Sequence, residues 1–513
     1  MNIGAEVLRG GGVRFRVWAP RCRRVEIVIG GGDGEEEGYE LTREANDESP
    51  GYFSGKIDRA GDGTRYWYRL DGGERLFPDP ASRFQPEGPH GPSQVIDPGR
   101  FAWADDGWRG LKLAGQIIYE LHIGTFTREG TWEAAARELA ELADLGVTVL
   151  NVMPVADFPG RFGWGYDGVN LFAPKRLYGE PDDLRRFVDR AHRLGLAVIL
   201  DVVYNHLGPD GNYLREFSES YFSNRHRTDW GEAINFDGEQ SGPVRDYFLA
   251  NAGYWVEEFH IDGLRLDATH SIYDDSQDNI LGAIGRRVRE AAGGRATIVV
   301  AEDDLQRVRL VQARESGGFG LDGVWNDDFH HSSRVALAGR NEAYLSGYRG
   351  KPQEFISAFK YGYLYQGQWN SWKKGRRGTA DFRIPHSAFV ICLQNHDQIA
   401  NSGRGERCHL LSSPGRYRAL TALLLLAPCT PMLFQGQEFA SSSPFIYFAD
   451  FEGELKQLVR EGRFRTLAEF RSLATAEGQA ALADPGDPET FNRCKLDFSE
   501  RRSHAGIYRM HRD

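Results

Sequence analysis

The sequence predicts a (β/α)8 barrel preceded by a small all-β sandwich. Residues 11–103 alternate apolar and polar positions in short runs, as half-buried strands do. Beyond Gly110 the runs become continuously apolar and are separated by helical periods, the pattern of a parallel sheet covered by helices. There are eight such runs in a chain of 513 residues, long enough for a barrel of about 250 residues plus smaller modules.

Val13–Trp18, Val25–Ile29 and Tyr66–Leu70 read as sandwich strands, each followed by Gly, Pro or Asp turn signals. The tract Gly30 to Gly38, with its acids and glycines, reads as a solvated hairpin loop, and Phe77–Pro98 as a structured linker. The predicted barrel strands are Gln116–His122, Thr148–Met153, Ala197–Val203, Gly263–Asp267, Ala296–Ala301, Gly323–Trp325, Ala388–Leu393 and Pro431–Phe434. Thr131 caps a helix over Trp132–Asp144, and Pro181-Asp182-Asp183 opens another over Leu184–Leu194. An open doubly wound sheet would want a Gly-rich turn after its first strand, and Leu121–Thr125 offers none. The expected domains are 1–105 (sandwich and linker), 106–485 (barrel) and 486–513 (a short extension).

Composition narrows the partners. With 62 basic against 73 acidic side chains the net charge is −11, so nothing favours a polyphosphate backbone and no nucleic acid is expected. The longest apolar run, Ala419–Cys429, is too short to span a bilayer, so no membrane partner is expected either. Met1–Pro20 carries Glu6, Arg9, Arg14 and Arg16 and does not read as a secretory signal. Five scattered cysteines without metal-ligand spacing read as reduced thiols of a cytoplasmic protein. Neither a metal nor a cofactor is expected; Asn205 is followed by no acid-rich loop with calcium spacing.

In a barrel of this kind reacting groups sit at the C-terminal ends of strands. The fourth strand presents Arg265 and Asp267 on one side, because strand side chains alternate. An arginine beside a carboxylate holds it ionised, as a nucleophile requires. Glu302 arrives at the end of the fifth strand, His396 and Asp397 at the seventh, and Asp201 and His206 at the third. A lone rim acid is usually a solvated strand end, but three on three strands suit glycosidic cleavage, one attacking the anomeric carbon and one protonating the leaving oxygen.

Asp201-Val-Val-Tyr-Asn-His206, Gly263-Leu-Arg265-Leu-Asp267, Ala301-Glu302 and Asn395-His396-Asp397, in that order, resemble the four short motifs of the α-amylase family of retaining glycoside hydrolases. The resemblance implies that Asp267 is the nucleophile, Glu302 the proton donor and Asp397 the acid that stabilises the transition state. It also implies that His206, Arg265 and His396 surround the glucose on the non-reducing side, with Tyr166 stacked on that ring. The catalytic carboxyls of a retaining enzyme are expected about 5–5.5 Å apart.

Further stretches resemble the maltooligosyltrehalose trehalohydrolase subgroup: Arg83–Ser93, Tyr119–Thr127, Trp325–His331, Gln394–Ile399 and Ser443–Phe448. This likeness implies cleavage of the α-1,4 bond next to the trehalose unit of a glucan oligosaccharide, releasing trehalose. Asp327, Asp328 and Glu438 are expected to accept hydroxyl protons of the leaving disaccharide, with Trp325–His331 and Phe445–Phe448 stacking on its rings; His270, Gln398 and Asn401 complete the expected contacts. Where the subgroup has Gly and then Asn-Arg after the His-Asp pair, this chain has Ala400, Asn401 and Ser402, with Arg404 beyond. From Phe434 to Asp513 there is room for the eighth helix and a short continuation, so the usual C-terminal β domain is expected to be absent and a dimer through the uncovered face is an expectation. The competing readings are a glucan branching enzyme or other transglycosylase, of which a longer His- and Gly-rich loop after the seventh strand would be expected, and a non-catalytic glucan-binding protein, against which the complete trio of acids speaks.

Overall fold

The computed structural model describes residues 3–30, 36–45 and 51–513. Residues 31–35 of the tract read as a hairpin loop lie outside the described residues, and Glu37 and Gly38 already belong to a strand.

The N-terminal sandwich packs two antiparallel sheets face to face. One runs Gly4–Val7, Val13–Trp18, Tyr52–Ile57, Thr42–Arg43; the other runs Glu37–Glu40, Val25–Ile29, Arg65–Leu70, Leu76–Phe77. Alternation puts Val13, Phe15 and Val17 inward against Val25, Ile27, Tyr66 and Tyr68, and the intervening arginines outward. The sandwich is fastened to the barrel by Trp18, edge-on to Tyr221 at 5.2 Å, and by Tyr68, edge-on to Phe217 at 5.6 Å. Tyr247 also donates to the Pro80 carbonyl at 2.7 Å.

Eight parallel strands close the barrel: β1 (Ile118–Leu121), β2 (Val149–Val152), β3 (Ala197–Val202), β4 (Gly263–Leu266), β5 (Ile298–Ala301), β6 (Gly323–Trp325), β7 (Phe389–Cys392) and β8 (Thr430–Phe434). Each predicted strand is present, shortened by no more than two residues at either end, except the eighth, which begins one residue earlier than predicted. Closure pairs Ile118 of β1 with Met432 of β8. Inside, Ile118, Val149, Ile199, Val300, Val390 and Met432 fill the lower barrel as one apolar cluster. Gly263 is needed at the start of β4 because a Cβ there would stand 1.7 Å from the Ile298 carbonyl oxygen.

The outer helices are α1 (Trp132–Leu145), α2 (Pro181–Arg193), α3 (Ser241–Glu258), α4 (Ile280–Ala291), α5 (Asp327–Ala338), α6 (Pro352–Tyr361), α7 (Pro414–Leu426) and α8 (Gly453–Leu467). The Thr131 hydroxyl accepts from the Ala134 N–H as the predicted cap of α1, and Glu180 with Asp183 forms a capping box on α2. One departure from the (β/α)8 pattern lies between β5 and β6, where two short 3-10 turns, Val308–Leu310 and Arg314–Ser316, replace a helix.

Beyond α8 the chain returns to the first barrel unit. The Leu496 N–H reaches the Thr125 carbonyl at 3.0 Å, Arg501 pairs with Glu138 at 2.5 Å, and Tyr508 donates to Glu141 at 2.8 Å. Both acids belong to α1. A short helix over Ala505–Arg512 makes this return.

Candidate active site

Arg265 is the hub. It rises from β4 into the barrel mouth and is fully buried, its guanidinium lying over the Trp325 ring at 4.3 Å. Nη1 contacts both oxygens of Asp201 at 2.8 Å and Asp267 Oδ1 at 2.7 Å, while Nη2 donates to Glu302 Oε2 at 2.6 Å. One cation thus bridges carboxylates from the ends of three consecutive strands, β3, β4 and β5. That shared fork favours the short carboxyl separation of a retaining enzyme, about 5–5.5 Å, over the wider gap that admits a water.

Burial pushes Asp267 and Glu302 above the ordinary carboxylate range, and Arg265 opposes it. Asp201, the most enclosed of the three, is pushed up to about 6 by burial, again against Arg265. The Asn205 amide donates to Asp267 Oδ2 at 3.3 Å, and the backbone N–H of Ala268 donates to Glu302 Oε2 at 3.1 Å. That second bond requires Ala268 to adopt a left-handed backbone, φ +38° and ψ +52°. Such strain costs on the order of 1 kcal/mol and persists where neighbours enforce it.

The residues expected on the non-reducing side come from β3, β7 and the loop after β2. Tyr166 stacks on His396 at 5.2 Å and 22°, and its hydroxyl donates to Asp201 Oδ2 at 2.7 Å. Burial works against charge on His396, but Asp397 and Glu120 hold its proton up to about 9. Glu120 of β1, fully buried, contacts His396 Nδ1 at 2.8 Å. The other imidazole nitrogen lies 3.5 Å from Asp397, whose side chain is 41% exposed toward the cleft. His206 bonds Asn205 at 3.0 Å, and burial lowers its pKa to about 4. Glu120 and Trp230 were not anticipated from the sequence. Trp230 stacks on His206 at 5.2 Å and 17° and is 52% exposed, as a platform continuing the cleft.

On the opposite side of Glu302 lies a cavity of about 250 Å³ whose lining includes His270, Asp304, Asp327, Trp372, Arg377 and Gln398. Arg377 reaches Asp327 Oδ2 at 3.2 Å, and burial raises Asp327 well above the ordinary range against that cation. Gln398 accepts from the Tyr344 hydroxyl, and Asn401 accepts from Arg463 at 3.0 Å.

Three expectations need correction. Asp328 is fully buried behind the cavity, its carboxylate taken by the Tyr348 hydroxyl at 2.6 Å and the Tyr365 N–H at 2.8 Å, so it supports Arg377 rather than meeting substrate. Glu438 is likewise sealed under the barrel mouth, accepting from the Tyr119 hydroxyl at 3.0 and 3.1 Å. Phe445 and Phe448 are core: Phe445 stacks on Trp164 at 5.4 Å and packs against Phe434 and Phe448. Apolar character at a loop had suggested a sugar platform, but these rings plug the space beneath Trp164.

Protonation of a leaving oxygen requires Glu302 in its acid form. The alkaline limb of kcat/KM is therefore expected above the ordinary Glu range, about 4.3, and Glu302→Gln should remove that limb from the residual activity. A pH–rate profile of both enzymes checks this.

Residues 95–250 match the family model described as alpha amylase, catalytic domain, and residues 2–84 match carbohydrate-binding module 48 (isoamylase N-terminal domain). The chain is 42% identical over 521 residues to malto-oligosyltrehalose trehalohydrolase of Deinococcus radiodurans, covering 100% of this chain and 82% of that one. It is also 42% identical to the enzyme of the same name from Saccharolobus solfataricus, over 95% of this chain and 82% of the relative. A crystal structure from Salmonella typhimurium assigned as an alpha amylase superposes with a TM-score of 0.91 at 38% identity, covering 100% of this chain and 85% of that one. Pullulanase type I from Bacillus subtilis, at TM-score 0.71 and 18% identity over 100% of this chain and 71% of its own, shares the fold alone.

Proposed function

The chain belongs to the malto-oligosyltrehalose trehalohydrolase family of α-amylase-type glycoside hydrolases, and on that footing we propose how its residues act. The reaction is hydrolysis of the α-1,4-glucosidic bond next to the trehalose unit of maltooligosyltrehalose, which releases trehalose. The observation that carries the proposed mechanism is the single Arg265 fork holding Asp267 and Glu302 together.

Asp267 attacks the anomeric carbon and forms a glycosyl ester while Glu302 gives its proton to the leaving trehalose oxygen. Glu302, now a carboxylate, takes a proton from water as that water cleaves the ester, and Asp267 leaves with its electron pair. Tyr166, His206 and His396 hold the glucose being cleaved, and Asp397 binds its hydroxyls as the ring flattens. Asp327, His270, Gln398 and Asn401 lie on the leaving-group side. Arg377 is added to that group because it contacts Asp327 and lines the same cavity. A site that pairs its buried polar groups with one disaccharide can reject another by several kcal/mol, since a misplaced hydroxyl leaves a partner unpaired.

Product analysis tests this. Trehalose and an α-configured maltooligosaccharide are expected as first products, with maltopentaose cleaved much more slowly than its trehalose-capped counterpart. Equal rates on the two, a β-configured first product, or new α-1,6 branches would overturn the reading, the last in favour of the branching enzymes. No helix among the described residues is long and apolar enough to cross a membrane. The five cysteines are free and buried, which supports our placement of the protein in a reducing cytoplasm.

A further inference from the structure

Strand β1 carries one acid among apolar neighbours, Ile118-Tyr119-Glu120-Leu121, and every residue of it is buried. Alternation sends Ile118 and Glu120 to the same side, Ile118 into the apolar cluster of the lower barrel and Glu120 one layer higher, at the floor of the mouth. A carboxyl buried there is costly unless other groups satisfy it. Both of its oxygens turn to one residue: Oε1 contacts His396 Nδ1 at 2.8 Å, and Oε2 accepts from the His396 backbone N–H at 3.2 Å.

The same ring is held at its other nitrogen. His396 Nε2 lies 3.0 Å from the Tyr166 hydroxyl oxygen, and that hydroxyl gives its single proton to Asp201 Oδ2 at 2.7 Å. Asp201 also meets Arg265 and, as a carboxylate, only accepts. Tyr166 therefore has no proton left for the ring, and Nε2 must bring its own. Glu120 requires a proton on Nδ1 as well, so His396 is a cation that donates from both nitrogens. The hydrogen bonds run outward from it, to Glu120 on one side and through Tyr166 to Asp201 on the other. Asp201 is the carboxylate that shares Arg265 with Asp267 and Glu302.

The groups that face the ring agree with this charge. Asp397 lies 3.5 Å from Nε2, Trp164 stands edge-on at 5.3 Å, and Trp325 of β6 tilts against it at 6.3 Å. Burial and Arg265 oppose the second proton, Asp397 and Glu120 favour it, and the balance stands at about 9. The neighbouring His122 adds no competing charge, because burial lowers its pKa to about 3.

Resting on the function proposed above, in which His396 contacts the glucose being cleaved, we propose that Glu120 is a positioning residue for the reaction. From the floor of the barrel it fixes His396 as a donor at both nitrogens and so sets the direction of the hydrogen bonds that run through Tyr166 to Asp201. Nε2–H then offers a sugar hydroxyl a donor, and bonds to sugar hydroxyls strengthen as the transition state forms. With a neutral ring Nε2 becomes an acceptor, competes with Asp201 for the Tyr166 proton and loosens the carboxylate that steadies Arg265.

Histidine labelled with 15N in the ring reads this in the intact protein, with His396→Gln identifying the signal. In the unaltered enzyme both ring nitrogens of His396 are expected to carry protons at about pH 7.5, well above the ordinary His value of about 6.5. A ring with a single proton there would overturn the proposal without any change at Glu120. In Glu120→Gln, which keeps the size and one acceptor, the second proton should leave about one pH unit lower or more. In the same variant kcat on maltotriosyltrehalose should fall about tenfold or more, with KM changing less. A loss of kcat with an unmoved titration midpoint would mark a merely structural role, and a moved midpoint with kcat within about twofold would leave the reaction independent of Glu120. Either result overturns the proposal. If the unaltered enzyme releases no trehalose, the function proposed above has failed, while the ring measurement, made on the protein alone, still decides whether Glu120 sets the charge of His396.

Discussion

Asp267→Asn is expected to lower kcat/KM on maltooligosyltrehalose by about 10⁴-fold or more. The amide is nearly the same size and can still receive a hydrogen bond from Arg265, so the fold and the ground-state contacts survive. What it lacks is the negative oxygen that bonds the anomeric carbon, so the ester cannot form. KM or the substrate dissociation constant should therefore move little while kcat collapses. Steady-state kinetics with a binding measurement on the inactive variant checks this, and a loss below tenfold would mean that another group is the nucleophile.

Arg265→Met is the second large effect, and it reaches stability as well as rate. The guanidinium is the common partner of Asp201, Asp267 and Glu302. Removing one member of a buried charge network leaves the others uncompensated, at a cost of about 3–5 kcal/mol. All three carboxylates already stand above their ordinary values because of burial, Asp201 at about 6. The folded state thus keeps these protons to higher pH than the unfolded chain, whose Asp groups titrate near about 3.9. Their contribution to stability is fully present below that pH and is lost as pH rises to about 6. Without Arg265 the loss deepens, so the variant's melting temperature should fall more steeply between pH 4 and 7 than that of the unaltered protein. Thermal melts across that window check the sign; a variant more sensitive to acid than to neutral pH would contradict it.

Much of the fold and the centre of the site were legible in the sequence, for physical reasons that particular residues show. Barrel strands buried on both faces must be apolar along their length, so Ala197–Val202 and Ile298–Ala301 stand out, and alternation alone puts Arg265 and Asp267 on one side. Their pairing with Asp201 and Glu302 then follows from strand order. Glu120 escaped notice because its partner, His396, is 276 residues away, and a buried acid in an apolar strand gives no local sign of what it faces. Trp230 escaped for the same reason, as its role depends on a hairpin folding back over His206. Asp328 and Glu438 misled because polarity at a strand end tells that a group is paired, not whether the partner is a sugar or a tyrosine hydroxyl. The missing helix after β5 was also silent: residues 304–320 have three glycines and no apolar period, yet a connection of that length can be helical or not.

The return of the last residues to α1 sets the order in which the molecule can be assembled. β1 must pair with β8, the Tyr119 hydroxyl meets Glu438 across 319 positions, and Arg501 reaches Glu138 across 363. During synthesis the first barrel strand therefore emerges long before its final neighbour exists, and its outer edge stays open for most of the time on the ribosome. Contacts of such sequence separation carry a large closure entropy and form late. An open, apolar strand edge is also where another chain can add itself. The seam between the first and last barrel units accordingly closes late, and until it does the growing chain carries an open strand edge.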